Sequence, residues 1–93
     1  MTEIRSVLVR ISGRVQGVGY RAWTAAEAER RHLSGWVRNL GSGEVEALFS
    51  GPTDTVDAML TACRRGPPLA RVDEVAVTPA EPTSGGFTVR YDR

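Results

Sequence analysis

From Ile4 to Ser12, the apolar residues Val7, Val9 and Ile11 alternate with Leu8, Arg10 and Ser12. A period of two, rich in β-branched residues, predicts a strand with one apolar face. Gly13-Arg14-Val15-Gln16-Gly17-Val18-Gly19 follows; its three glycines should break that strand and open unusual backbone angles. The pattern then becomes helical over 20–31, where four alanines supply propensity and Arg30 and Arg31 suit the negative C-terminal end. Glycine usually stops such a helix; here His32 stands in that place.

A short strand over 34–40, a turn at Gly41-Ser42-Gly43 and a return strand over 44–50 read as a hairpin. In the return strand Val45, Ala47 and Phe49 face one way, Glu44 and Glu46 the other. Gly51-Pro52-Thr53-Asp54 opens a second helix, with Thr53 as its expected cap and Asp54 near the positive dipole end. Val56, Met59, Leu60 and Cys63 fall at i, i+3, i+4 and i+7, a single apolar stripe. Arg64-Arg65-Gly66-Pro67-Pro68 closes it. A strand over 70–78, a loop from Pro79 to Gly86 and a short strand over 87–91 complete the chain. The order β-α-β-β-α-β plus one strand predicts a ferredoxin-like α+β fold, with two helices on one face of a mainly antiparallel sheet.

Ninety-three residues suffice for one domain, expected to span 1–93, and 41% hydrophobic with 25% charged residues argues against disorder. A net charge of +1 is no electrostatic footprint for nucleic acid or an anionic membrane. No apolar run reaches the roughly 20 residues of a spanning helix, and the N-terminus lacks the apolar core of a secretion signal. One cysteine, Cys63, cannot form an internal disulfide, so a reducing cytoplasm is the expected compartment.

The chain has no lysine, which excludes a Walker A loop and Schiff-base chemistry. Its single histidine, His32, makes a histidine metal site untenable and leaves any His-based triad without a nucleophile motif. Every cation is an arginine, suited to forked recognition of phosphate.

The strand–glycine loop–helix joint then becomes the main candidate site. Unpartnered N–H groups at a helix N-terminus, together with a curling glycine loop, form an anion nest. Arg21 opens the helix and can cover that nest with its guanidinium. Taken alone, the glycines are more often turn chemistry and the arginine a solvated side chain. Asn39 is likewise either a turn asparagine before Gly41 or an amide that positions water.

Gly13-Arg14-Val15-Gln16-Gly17-Val18-Gly19-Tyr20-Arg21 resembles the first signature of the acylphosphatase family. Gly35-Trp36-Val37-Arg38-Asn39, with Gly43-x-Val45 and Gly51, resembles the second, and Gly66-Pro67-Pro68-x-Ala70-x-Val72 extends the likeness across nearly the whole chain. The resemblance implies metal-independent hydrolysis of carboxyl-phosphate bonds on a ferredoxin-like fold, without a cofactor. It implies Arg21 as the phosphate-binding arginine, Asn39 as the water-positioning asparagine, and Arg14, Val15, Gln16, Gly17, Val18 and Gly19 as the phosphate cradle. The partners would be a small acyl phosphate and inorganic phosphate, the latter as product and competitive inhibitor, with the chain acting as a monomer. Arg31-His32-Leu33 departs from the family's usual Leu-Gly-Leu, and Tyr20 stands where phenylalanine is common. The rival is a non-catalytic small-anion or nucleic-acid binding module on the same fold.

Overall fold

The structure, a computed structural model, describes residues 3–91. Met1 and Thr2, part of the segment read above as unlike a secretion signal, lie outside that range, as do Asp92 and Arg93. The elements in chain order are β1 (Ile4–Arg14), α1 (Tyr20–Arg30), β2 (Ser34–Asn39), β3 (Val45–Pro52), α2 (Thr53–Arg65), β4 (Arg71–Pro79) and β5 (Phe87–Val89). The strands form one sheet in the order β4-β1-β3-β2-β5. Only the β2–β5 pair is parallel. The helices cover one face, α1 over β2 and β5 and α2 over β4, β3 and β1. This is the ferredoxin-like arrangement, with β5 added at the edge.

The alternation in β1 sets the core. Val7, Val9 and Ile11 are buried beneath the helices with Val45, Ala47 and Phe49 of β3. The α2 stripe of Val56, Met59, Leu60 and Cys63 closes on them. Each of the Val, Ile, Leu, Met and Phe side chains among them, fully buried, contributes about 1.5–3 kcal/mol. Phe87 of β5 stacks on Phe49 at 5.7 Å and 15°, which pins the edge strand to the core.

Several boundaries differ from the sequence reading. Gly13 does not end β1: the strand runs to Arg14, and Gly13 sits in a bulge against β4 at φ 120°. A Cβ there would collide with the Arg71 carbonyl, so glycine lets β4 approach. The hairpin connection spans 40–44, wider than Gly41-Ser42-Gly43, and β3 starts at Val45, not Glu44. β3 runs through Pro52 directly into α2.

Thr53 is not the cap of α2. Pro52 takes that place without a side-chain bond, and the Thr53 N–H and hydroxyl both donate to the Glu3 carbonyl, at 3.1 and 3.4 Å. β5 is limited to Phe87–Val89, because its pairing with β2 ends there.

Helix α1 ends one residue earlier than expected, by a device usually given to glycine. His32 adopts the left-handed conformation at φ 59°. Its N–H donates to the Glu29 carbonyl at 3.0 Å, and the Leu33 N–H donates to the Ala28 carbonyl at 2.9 Å. These are the paired bonds of a Schellman stop. Leu33 then turns into the core, while Arg30 and Arg31 both pair with Glu27.

A left-handed residue other than glycine carries steric strain of roughly 1–2 kcal/mol, part of which glycine would return as unfolded-state entropy. Since the His32 side chain is exposed, His32→Gly should stabilise the fold by about 0.5–1 kcal/mol. That is a rise in Tm of roughly 2–8 °C for a domain of this size, measurable by thermal denaturation. An unchanged or lower Tm would show that the histidine carries no strain there.

Candidate active site

β1 and β2 each run antiparallel to β3, which lies between them. They are therefore parallel to each other, and their C-terminal ends reach the same edge. Val45 sets the level: it pairs with Ile11 of β1 on one side and Asn39 of β2 on the other. By strand alternation Asn39 shares the face of Gly35 and Val37, the side covered by the helices. The chain leaving β1 turns through 15–19 into α1 on that same side.

Gly17 and Gly19 hold this turn at φ 76° and 79°, a region open to glycine at little cost. Gly19 is the N-cap of α1, and its carbonyl accepts the first helical bond, from the Trp23 N–H at 3.0 Å. The N–H groups of Tyr20, Arg21 and Ala22 consequently have no helical acceptor. The first turn has no acidic residue to satisfy its positive end.

A pocket of about 210 Å³ opens at this point. Val15, Gln16, Gly17, Gly19, Arg21 and Asn39 line it, so the two signature segments share one cavity. Among the described residues its lining has no histidine, cysteine or carboxylate, and its only charged side chain is Arg21. The Arg21 guanidinium donates to the Arg90 carbonyl at 3.3 Å and lies 4.7 Å above the Tyr91 ring. Val15 is buried in the core, leaving its backbone to face a ligand. Arg14 and Val18 belong to the same segment but do not line the cavity: the Arg14 side chain is exposed, and Val18 packs against the core.

The remaining sequence candidates fall elsewhere. His32 lies beyond the far end of α1, roughly 16 Å away at 1.5 Å per residue over an 11-residue helix. Cys63 is fully buried on α2, and burial pushes its thiol up to about 12, so it is no nucleophile near neutral pH. Its carbonyl, however, accepts the Tyr20 hydroxyl at 2.7 Å. The hydroxyl that distinguishes Tyr20 from phenylalanine thus ties the first turn of α1 to the end of α2. Burial raises the Tyr20 pKa well above its ordinary value, so the phenol remains a donor.

Comparison with known proteins identifies the family. The acylphosphatase family model matches residues 7–89. The chain belongs to the acylphosphatase family. A Rhodospirillum rubrum acylphosphatase is 58% identical over 86 residues, covering 91% of this chain and 94% of that protein. An acylphosphatase structure from Coxiella burnetii superposes with a TM-score of 0.89 at 34% identity, covering 94% of this chain and 93% of the other. The Bacillus subtilis acylphosphatase structure gives 0.87 at 34%, covering 96% and 100%.

The acylphosphatase match stops at Val89, whereas the pocket wall continues to Tyr91. Val89 and Tyr91 line the pocket, yet no sequence motif points to them. The alternation Phe87-x-Val89-x-Tyr91 signals a strand and its face, but not that the strand pairs parallel with β2 and so arrives beside Arg21.

The buried Cys63 gives a direct check on these placements. A disulfide reagent at pH 8 should leave the native protein unlabelled and label one thiol after denaturation, followed by absorbance. Rapid labelling of the native state would place the thiol at an exposed, activated position instead.

Proposed function

We propose that the pocket at the N-terminus of α1 hydrolyses acyl phosphates by direct attack of a positioned water on phosphorus. As a member of its family the chain is an acylphosphatase, a hydrolase of small acyl phosphates. The observation that carries the proposed mechanism is the meeting of Arg21 and Asn39, from different elements, in one cavity at a helix's positive end.

The phosphoryl oxygens sit against the Arg21 guanidinium, the free N–H groups of the first helical turn and those of the 15–19 loop. Charge grows on these oxygens in a loose transition state, and fixed donors stabilise it without reorganising. The Asn39 amide holds a water in line with the acyl oxygen, a positioning effect. As the water oxygen bonds to phosphorus, the bond from phosphorus to the acyl oxygen breaks and the carboxylate leaves with its electron pair. The water's proton passes to a phosphate oxygen; among the described residues the lining offers no carboxylate or imidazole to take it.

A carboxylate is a good leaving group, so neither a general acid nor a metal ion is required. We further infer a cytoplasmic monomer: the lone Cys63 suits a reducing compartment, and the described lining of the pocket comes from one chain. Among the described residues no helix is long and apolar enough to cross a membrane.

Incubation with benzoyl phosphate tests the reading. The protein should release phosphate catalytically, at the same rate in EDTA, with inorganic phosphate inhibiting competitively. Binding without turnover would instead make it a small-anion sensor, and activity lost in EDTA but restored by a divalent cation would overturn the metal-free route.

The two side chains should fail in different ways. Arg21→Lys keeps the charge but loses the planar fork, so it should cost about 3–4 kcal/mol, roughly 10²–10³ in kcat/KM, nearly as much as Arg21→Ala. Phosphate affinity should weaken in both. Asn39→Ala should lower kcat while leaving the phosphate Kd almost unchanged. A drop in Tm with normal kcat would make Asn39 merely a turn residue.

A further inference from the structure

Gln16, the sole glutamine of the chain, lies in the middle of the cradle, but its side chain points across to the β2–β3 hairpin. Its Nε2 donates to the Leu40 carbonyl and to the Glu44 carbonyl, each at 2.8 Å. Both hydrogens of the amide nitrogen are thereby used within the protein. The same two carbonyls close the hairpin turn: the Leu40 N–H donates to Glu44 at 2.8 Å and the Gly43 N–H to Leu40 at 3.1 Å. Each oxygen thus accepts one backbone bond and one from Gln16, filling its two lone pairs.

The position of this bridge matters. Leu40 directly follows Asn39, and Gln16 stands between Val15 and Gly17, which line the pocket. The β1–β3–β2 ladder ends at the level of Ile11, Val45 and Asn39. Beyond it, the cradle and the hairpin turn are no longer held together through β3. The Gln16 amide takes over at that point.

We propose that Gln16 is a positioning residue that fixes Asn39 relative to the phosphate cradle, rather than a side-chain ligand of the phosphate. The proposal rests on the water-positioning reading of Asn39 given above. Its physical content is the distance from water to phosphorus: the cradle holds phosphorus, Asn39 holds water, and Gln16 sets the separation. Phosphate itself should bind almost normally without the bridge, because Arg21 and the backbone N–H groups remain. In-line attack should suffer, since a misplacement of about 1 Å can cost about 100-fold in rate.

A double-mutant cycle tests this with Gln16→Met, which keeps the length of the side chain and removes both donors. Benzoyl phosphate turnover and the Kd for inorganic phosphate are measured for the parent, Gln16→Met, Asn39→Ala and the double variant. Gln16→Met should lower kcat by about 10- to 100-fold and change the phosphate Kd by less than about 3-fold. In the Asn39→Ala background the same change should alter kcat by less than about 2-fold, because the group it positions is gone.

An equal fold-loss in both backgrounds would overturn the proposal. So would a rise in phosphate Kd that matches the loss of kcat, which would make Gln16 part of the phosphate cradle. If Asn39→Ala alone leaves kcat unchanged, the water-positioning reading fails first and takes the proposal with it. Gln16→Leu, neutral and likewise without donors, supplies the same cycle if the methionine variant does not fold.

Discussion

The placement of β3 between β1 and β2 is the constraint on which the site depends. An antiparallel strand in the middle makes its two neighbours parallel, so a glycine loop after one and an asparagine at the end of the other meet at one edge. Register then decides the chemistry. Val45 faces the core and fixes the level of both Ile11 and Asn39. A one-residue slip of β2 against β3 would send Asn39 to the open face and Trp36 into the core. The apolar pattern Val45, Ala47, Phe49 opposite Val37 forbids that slip, because it would expose Val37, which is fully buried. Core packing and the orientation of Asn39 are therefore one constraint.

Helix α1 is held at both ends around that edge. At its start the Tyr20 hydroxyl is bonded to the Cys63 carbonyl, and the Tyr20 ring packs tilted against Trp23 at 5.3 Å. At its end the His32 turn delivers Leu33 to the core. β5 then connects the far edge of the sheet to the site. Phe87 anchors it on Phe49, the Arg90 N–H donates to the Val37 carbonyl at 2.8 Å, and the Arg90 carbonyl accepts from Arg21. Alternation along this segment puts the Arg90 guanidinium over Trp36 on the open face and Tyr91 under Arg21 on the helix face.

Much of this was legible in the sequence, because the signals were periodic or local. Alternation in β1 and β3, the four-residue stripe of α2 and the glycine content of 13–19 each dictate structure through burial or backbone angle, and each element formed. The ends were harder to read. Gly13 reads as a break, but a glycine beside a pairing strand can equally be a bulge, and only the Arg71 carbonyl decides which. Thr53 reads as a cap, but proximity to Glu3, fifty residues away in sequence, claims its hydroxyl.

Glu46 was expected simply to face away from the apolar side. It does so, yet it is only 5% exposed, held by Arg38 and Arg10 on neighbouring strands. The site divides in the same way. Arg21 and Asn39 stand in recognisable motifs, whereas Tyr91 and the direction of the Gln16 side chain depend on which strands become neighbours.

Among the described residues the pocket presents one arginine, a helix end and backbone donors, with no carboxylate or imidazole beside them. A site built this way cannot be tuned by shifting the pKa of a base, the usual means of adjusting hydrolytic chemistry. Only distance and direction remain. That explains why the polar side chains around the cradle are bonded to backbone: Gln16 to the hairpin, Tyr20 to the end of α2 and Arg21 to β5. A backbone carbonyl is a fixed target, moving only if an element moves, so a side chain anchored there transfers the rigidity of the sheet and helices to the cradle. In a fold this small, the fixed spacing that a loose phosphoryl transition state requires can come from such cross-links, without a larger protein to supply it.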